Sequence, residues 1–165
     1  MASIALKPRP LTAKRAHPFR VVIVASLYNE ELVNGLVSAC ETELIAIDPQ
    51  MQIRIVRVPG AFEIPVTVSH LAKQGNVNVI IALGVIIRGA TAHADLVGSS
   101  VTNSLLSIAV DSGIPVIHEV LLLSRADAVE RCLGTEINRG TEAARTAVSM
   151  ADLIDQIGAP LQPHE

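Results

Sequence analysis

The sequence predicts an α/β fold, a three-layer αβα sandwich in which helices cover both faces of a four-stranded parallel sheet. Short segments rich in β-branched residues alternate along the chain with segments of helical periodicity. The strand segments are nearly all apolar, which is typical of parallel strands that are buried on both faces. Because right-handed crossovers place helices on each side of such a sheet, the alternation predicts three layers.

The first half of the chain contains two predicted strands, residues 20–26 and 53–58, in which valine, isoleucine and arginine predominate. Between them, apolar residues recur at spacings of three and four, which predicts a one-sided helix. The residues of that apolar stripe are Leu32, Val33, Leu36, Val37, Cys40 and Leu44. Residues 77–83 form the third predicted strand, and a helical segment is expected before it.

The second half continues the alternation with a helix that begins near Ala92 and a fourth strand at residues 115–121. The apolar stripe of this helix consists of Val97, Val101, Leu105 and Ile108. Residues 124–127 have the pattern of a capping box and predict the start of a shorter helix. A last helix is expected to end at residues 158–160, where glycine and proline occur. Its apolar residues are Ala143, Ala144, Ala147, Val148, Ala151 and Ile154.

The length of 165 residues fits one domain. We expect a basic, proline-containing N-terminal arm at residues 1–18, a single α/β domain at residues 19–157 and a C-terminal tail at residues 158–165. Hydrophobic residues make up 50% of the chain, and the mean hydropathy is +0.45, more apolar than a monomer of this size needs. This excess predicts a homo-oligomer, since no apolar run approaches the roughly 18–20 residues that span a bilayer.

The charge distribution argues against nucleic acid as a partner. The net charge is −3, and the first 18 residues carry four basic residues and no acidic one, so the rest of the chain carries −3 − 4 = −7. A nucleic-acid-binding domain needs a basic surface, which this chain lacks. The arm has no apolar centre of the kind found in secretory signals, so the cytoplasm is the expected location; a trimmed organelle-targeting remnant is the alternative.

The cysteines and histidines do not form a pattern typical of a metal site. Cys40 and Cys132 are far apart and belong to no paired-cysteine motif, so both are expected to be inert buried thiols. The five histidines show no metal-ligand spacing. The sequence therefore predicts no metal.

The strongest functional signal is the stretch at residues 84–95, GVIIRGATAHAD, which follows an apolar strand and is predicted to be an active-site loop. Gly89, Ala90 and Thr91 are small enough to let backbone amides approach an anion, and the following helix adds its positive N-terminal end. His93 supplies an imidazole in the first turn of that helix. The stretch thus combines an anion-binding loop with a proton-transfer group.

Aromatic rings are rare in this chain, and two of the three follow strand ends. Tyr28 comes after the first predicted strand and Phe62 after the second, where Glu63 adds a carboxylate. Since ligands of open α/β sheets bind beyond the carboxyl ends of the strands, these residues and His93 are expected along one edge. The combination suits a polar heteroaromatic substrate that carries hydroxyls and a phosphate.

Each of these residues also has a purely structural interpretation. Tyr28 and Phe62 alternatively cap the core, residues 89–91 form an ordinary turn, and His93 lies solvated at the surface. Glu63 alternatively pairs with a nearby cation, because it stands in an otherwise apolar segment.

The remaining charged candidates have structural alternatives too. Arg131 and Arg139 alternatively belong to a solvated basic face and pair with Glu130 or Glu142. His118, inside the fourth strand, is explained by hydrogen bonding within the fold.

Three motifs together resemble the lumazine synthase family. They are residues 59–65 (PGAFEIP), 84–93 (GVIIRGATAH) and 138–144 (NRGTEAA), and the resemblance covers about residues 20–156. The first two motifs are highly specific in this order, and the third is supportive. The resemblance implies a flavodoxin-like sandwich that assembles into pentamers with active sites shared between neighbouring subunits. Some members of the family build icosahedral shells of sixty subunits.

The resemblance also implies an activity, that of a transferase in the penultimate step of riboflavin biosynthesis. Its substrates are 5-amino-6-(D-ribitylamino)uracil and 3,4-dihydroxy-2-butanone 4-phosphate, and its products are 6,7-dimethyl-8-ribityllumazine, phosphate and water. The reaction needs no cofactor.

The resemblance assigns roles to individual residues of this chain. Tyr28 stacks on the pyrimidine ring, and His93 transfers protons. Ala61, Phe62 and Glu63 contact the ribityl chain, and backbone groups of Ile86 and Ile87 contact the ring. The phosphate is bound by Gly89, Ala90, Thr91 and the adjacent subunit's Arg131.

Three positions depart from the family pattern. His118 stands where a phenylalanine often closes the pocket, Ala94 replaces a frequent aromatic residue, and Arg139 stands near a frequent lysine. We expect His118 and Arg139 to contact substrate. Two other functions remain as alternatives, a non-catalytic lumazine or flavin carrier and a structural shell protein.

Overall fold

The fold is taken from a computed structural model that describes residue 7 and residues 18–158. Within those limits the elements are β1 (Arg20–Ser26), α1 (Glu30–Ile47), β2 (Gln52–Val58), a 3₁₀ helix (Ala61–Glu63), α2 (Ile64–Gln74), β3 (Val79–Ile87), α3 (His93–Ser112), β4 (Val116–Leu123), α4 (Arg125–Leu133) and α5 (Arg139–Gly158). The expected N-terminal arm lies outside the described residues except at Lys7 and Pro18, and the expected tail lies outside them beyond Gly158. No helix of the described part is long and apolar enough to cross a membrane.

The four strands form one parallel sheet in the order β2-β1-β3-β4. Successive residues of a strand point to opposite faces, so alternate residues of β1 enter two separate cores. Val21 and Ile23 pack with α1, α4 and α5, whereas Val22 and Val24 pack with α2 and α3. This arrangement confirms the predicted three-layer αβα sandwich with a four-stranded parallel sheet.

Several element boundaries follow directly from local sequence chemistry. The strand β1 has the bounds that the valine and isoleucine run predicts. The helix α3 begins at His93, with Ala92 as its N-cap residue, as expected. At the start of α4 the Ser124 hydroxyl accepts a hydrogen bond from the Asp127 backbone N–H at 3.2 Å, which confirms the predicted helix start.

The predicted ends of the third and fourth strands were wrong. The fourth strand was expected to end at residue 121, but β4 extends to Leu123. The third strand does not stop at residue 83: β3 continues to Ile87 and pairs with β4 as far as Leu123. Gly84–Ile87, assigned to the active-site loop by sequence, therefore belongs to the sheet. The side chains of Ile64 and Val120 pack closely against Gly84, where an added Cβ would lie only 3.2 Å from them. A residue without a side chain therefore fits at this point of the strand.

Candidate active site

A cleft of about 530 Å³ lies at the carboxyl ends of the parallel strands. Its lining comes from the segments after β1 and β2, the end of β3, and the first turns of α3 and α4. The lining residues are Tyr28, Asn29, Gly60, Ala61, Phe62, Glu63, Val85, Ile86, Ile87, His93, Ala94, Val97 and Arg125. The cleft therefore brings together seven of the residues that the sequence singled out: Tyr28, Ala61, Phe62, Glu63, Ile86, Ile87 and His93.

The two aromatic rings of the cleft are open to solvent. Tyr28 is 75% exposed and Phe62 is 62% exposed, so neither ring caps the core, and that structural alternative was wrong. Asn29 has a left-handed backbone (φ 59°, ψ 44°), and its side-chain N–H donates to the Val85 carbonyl at 2.8 Å. This bond ties the segment after β1 to β3 and fixes the backbone that carries Tyr28.

The carboxylate of the cleft, Glu63, is half-buried at the end of the 3₁₀ helix. Its Oε2 atom lies over Gly60, where an added Cβ would come within 2.8 Å of it. Among the described residues the salt bridges do not include Glu63, so pairing with a cation does not explain it there. The carboxylate faces a cleft in which it can accept hydrogen bonds from hydroxyls.

His93 is exposed at the first position of α3 and lines the cleft. The preceding residues Gly89, Ala90 and Thr91 are exposed and lie beside the cleft without lining it. Among the described residues no side chain caps this helix N-terminus, so its first backbone N–H groups are left for solvent or an anion. Imidazole and amide donors are thus adjacent in the chain.

Three further candidate residues do not line this cleft: His118, Arg131 and Arg139. His118 lies on β4, where its Nε2 is 2.8 Å from the Thr102 hydroxyl of α3. This contact agrees with its interpretation as a hydrogen-bonded strand residue. Arg131 lies in the last turn of α4, at the end opposite the cleft.

Arg139 belongs to a partly buried charge cluster between β4 and α5. Its Nη1 donates to Glu142 Oε2, and its Nε lies 3.8 Å from Glu119 Oε2. The side chain of the adjacent Asn138 donates to the carbonyls of Cys132 and Gly134, which fixes the start of α5. The pairing of Arg139 with Glu142, offered as the structural alternative, is therefore present.

The second carboxylate of this cluster, Glu119, has only 15% of its side chain exposed. Burial raises the pKa of Glu119 from 4.5 to about 7; Arg139 opposes this increase, and Glu142 adds to it. The native state therefore binds more protons than the unfolded chain between pH 4.5 and about 7. Glu119 thus lowers the free energy of unfolding as the pH rises through that window.

Replacing Glu119 with glutamine is therefore expected to raise the Tm at pH 8 by roughly 5 °C, since a neutral amide avoids roughly 2 kcal/mol of the cost of a buried charge. At pH 4.5 the two proteins should melt together. Glu142→Gln, which removes the carboxylate bonded to Arg139, is the matched control and should lower the Tm at pH 8. A decrease for Glu119→Gln as well would show that Glu119 stabilises the fold as an ordinary ion-pair partner. Calorimetry at both pH values measures the difference.

Two polar residues of the cleft, Arg125 and Asn29, were not predicted as site residues from the sequence. Arg125 is the first residue of α4, directly after Ser124. The rule that placed Tyr28 and Phe62 at the sheet edge applies equally to the residues after the fourth strand, so the signal was available.

The cysteines match their prediction as buried, free thiols. Burial raises the pKa of Cys40 to about 12 and that of Cys132 to about 11, with further increases from nearby glutamates, so both stay protonated near neutral pH. Among the described residues, no group of three or more His, Cys, Asp or Glu side chains is arranged to hold a metal ion.

Comparison with known proteins identifies similar sequences over most of the chain. A family model described as 6,7-dimethyl-8-ribityllumazine synthase matches residues 18–155. The protein named 6,7-dimethyl-8-ribityllumazine synthase from Azoarcus sp. strain BH72 is 39% identical to this chain over 137 residues, which cover 82% of this chain and 85% of the relative. The protein of that name from Paraburkholderia phymatum is 41% identical over 135 residues (81% and 77%), and that from Acidovorax sp. strain JS42 is 34% identical over 148 residues (89% and 92%).

Proposed function

This chain belongs to the 6,7-dimethyl-8-ribityllumazine synthase family, and from that premise we propose how its cleft makes the lumazine ring. The chain is a transferase that condenses 5-amino-6-(D-ribitylamino)uracil with 3,4-dihydroxy-2-butanone 4-phosphate. The structural observation that supports our assignment of the site is the cleft at the sheet edge. There, exposed rings, a carboxylate and an imidazole surround one cavity.

The uracil substrate binds across the middle of the cleft. Its ring stacks on Tyr28, whose 75% exposure leaves a face free for a planar ligand. The backbone groups of Ile86 and Ile87 hydrogen-bond the ring from the end of β3. Contacts to the ribityl hydroxyls come from the segment after β2, at Ala61, Phe62 and Glu63.

The phosphate of the second substrate binds beside His93. Gly89, Ala90 and Thr91 precede the uncapped N-terminus of α3, which offers backbone donors and a positive helix end. Arg131 of an adjacent subunit completes the phosphate site, because its own helix carries it away from its own cleft. His118 and Arg139 do not line the cleft of their own subunit either, so we place their substrate contacts at the cleft of a neighbouring subunit.

His93 moves the protons of the condensation. The 5-amino nitrogen attacks the ketone carbon, and the resulting adduct loses water to form an imine. Loss of a proton from the adjacent carbon allows the C–O bond to phosphate to break, and phosphate leaves. The enol left by this elimination takes up a proton at its terminal carbon and becomes a methyl ketone. The ribitylamino nitrogen then attacks this new carbonyl, and loss of a second water closes the ring. Each step requires proton transfer at a positioned group, and an imidazole performs such transfers well. No step requires a covalent bond between substrate and enzyme.

The assembly is a homopentamer, alone or as the building block of a larger shell. Large apolar side chains remain exposed on helices of the single chain, as a surface that needs a partner would have them. They include Leu96, Leu106 and Val110 on α3, and Leu153, Ile154 and Ile157 on α5. The enzyme works in the cytoplasm, a location that agrees with its two free buried cysteines.

The function is tested by mixing the purified protein with both substrates and following the lumazine chromophore by absorbance, with the uncatalysed condensation subtracted. Protein-dependent product formation is expected. Tight binding of the uracil substrate without acceleration would instead favour a carrier, and a lack of both binding and turnover would favour a purely structural shell protein.

A further inference from the structure

Arg125 lines the cleft, and none of the substrate contacts proposed above involves it. It is the first residue of α4, and Ser124 fixes that position by capping the helix. Among the described residues that line the cleft, Arg125 is the one with a permanent positive charge. Glu63 is the corresponding negative charge. The cleft therefore has one fixed charge of each sign.

The guanidinium of Arg125 is free to bind a ligand. Its contact with Glu31 is 3.9 Å long, beyond hydrogen-bond distance, and the side chains of the pair are 63% and 74% exposed. Exposed ion pairs of this kind contribute little to stability. Within residues 18–158 no hydrogen bond of this guanidinium competes with a ligand. Binding a ligand therefore disrupts almost nothing in the protein.

The two charges lie toward opposite ends of the sheet edge. Glu63 follows β2, Arg125 follows β4, and these are the outer strands of the order β2-β1-β3-β4. Tyr28 follows β1, between them. A ring stacked on Tyr28 with its side chain toward Glu63 consequently turns its opposite edge toward Arg125.

The chemistry of that opposite edge matches a guanidinium. In 5-amino-6-(D-ribitylamino)uracil the position across the ring from the ribitylamino group is an imide N–H with a carbonyl oxygen on each side. The carbonyl oxygens accept hydrogen bonds, and a guanidinium offers several donors in one plane. We propose that Arg125 binds substrate by donating hydrogen bonds to a carbonyl oxygen of this imide edge. The proposal rests on the function proposed above, in which the ring stacks on Tyr28.

The test compares Arg125→Gln with the wild-type assembled enzyme. The variant should raise the KM for the uracil substrate by about tenfold, the size expected for a lost hydrogen bond to a charged donor, and leave the KM for the phosphorylated ketone within about twofold. Binding of 6,7-dimethyl-8-ribityllumazine, which keeps the imide edge and has no phosphate, should weaken by the same factor in a fluorescence titration. Arg125→Lys should rescue only part of the loss, because the planar set of donors is gone.

Arg57→Gln is the matched control, since Arg57 is an exposed arginine that donates to Asn34 and does not line the cleft. It should change neither KM. A rise in the KM for the ketone phosphate with Arg125→Gln would overturn the proposal and make Arg125 a phosphate ligand. Unchanged KM values together with unchanged lumazine binding would overturn it as well and leave Arg125 as a surface partner of Glu31.

The proposal and the proposed function fail in different ways. If the wild-type protein forms no lumazine but binds it, and Arg125→Gln weakens that binding, the catalytic assignment falls and the role of Arg125 stands. If the wild-type protein is active and the variant behaves like Arg57→Gln, the role of Arg125 falls alone.

Discussion

Replacing His93 with glutamine is expected to lower kcat by about a hundredfold or more, while the affinity for the uracil substrate changes little. The imidazole is exposed at the first position of α3 and faces the same cleft as Tyr28 and Phe62. Glutamine keeps a polar side chain of similar reach but does not exchange protons near neutral pH. Because imine formation, phosphate loss and ring closure all involve proton transfer, the loss should fall on kcat.

His70→Gln is the matched control for this variant. His70 is exposed on α2, contacts Gln74 and does not line the cleft, so the same chemical change there should leave turnover unaffected. Steady-state kinetics with both substrates, together with a binding titration of the uracil, separates turnover from binding. A kcat for His93→Gln within about threefold of wild type would remove His93 from the proton-transfer steps.

The layers of the fold could be predicted because each strand and helix has its own local pattern. The run at β1 is apolar on both faces, and the Ser124 cap marks α4 through a side-chain bond within one turn. The end of β3 could not be predicted in the same way. Gly84 resembles a strand breaker, but it pairs with Val120 of β4, and the side chains of Ile64 and Val120 occupy the space beside its Cα. Such contacts join residues far apart in sequence.

The candidate site was predictable to the extent that it depends on strand ends. Tyr28, Phe62 and His93 line the cleft because the carboxyl ends of parallel strands lie at one edge. Arg125 follows β4 at the same edge, so the same rule also applies to it, although helix periodicity alone does not encode the direction of its side chain. The proposed phosphate contact of Arg131 depends on a second subunit, which a single chain does not contain.

Arg131→Ala is expected to raise the KM for the phosphorylated ketone by tenfold or more and to leave the KM for the uracil substrate nearly unchanged. An arginine–phosphate contact is charge-assisted and contributes about 1.5–3 kcal/mol, which corresponds to this loss of affinity. Within the described residues Arg131 forms no ion pair with a carboxylate, so its charge is available to an anion. Arg145→Ala is the control: it removes an arginine paired with Glu43 on α1, away from the cleft. An unchanged KM for the ketone phosphate in Arg131→Ala would remove Arg131 from the phosphate site.

Mixing the two variants tests whether the site is shared between subunits. Arg131 lies six residues beyond Arg125 on α4, about 9 Å farther along the helix axis, so it is carried away from its own cleft. The hypothesis is that each site takes His93 from one subunit and Arg131 from the next subunit around a closed ring. His93→Gln and Arg131→Ala chains that are co-expressed should then form mixed assemblies. In these assemblies about a quarter of the sites should have both groups intact, because each group is intact in about half of the subunits. Tandem affinity purification through two different tags isolates these assemblies. With the phosphorylated ketone held well below its KM, their activity should approach a quarter of the wild-type value and clearly exceed that of either variant alone. Activity equal to the average of the two variants would mean that one subunit supplies both groups.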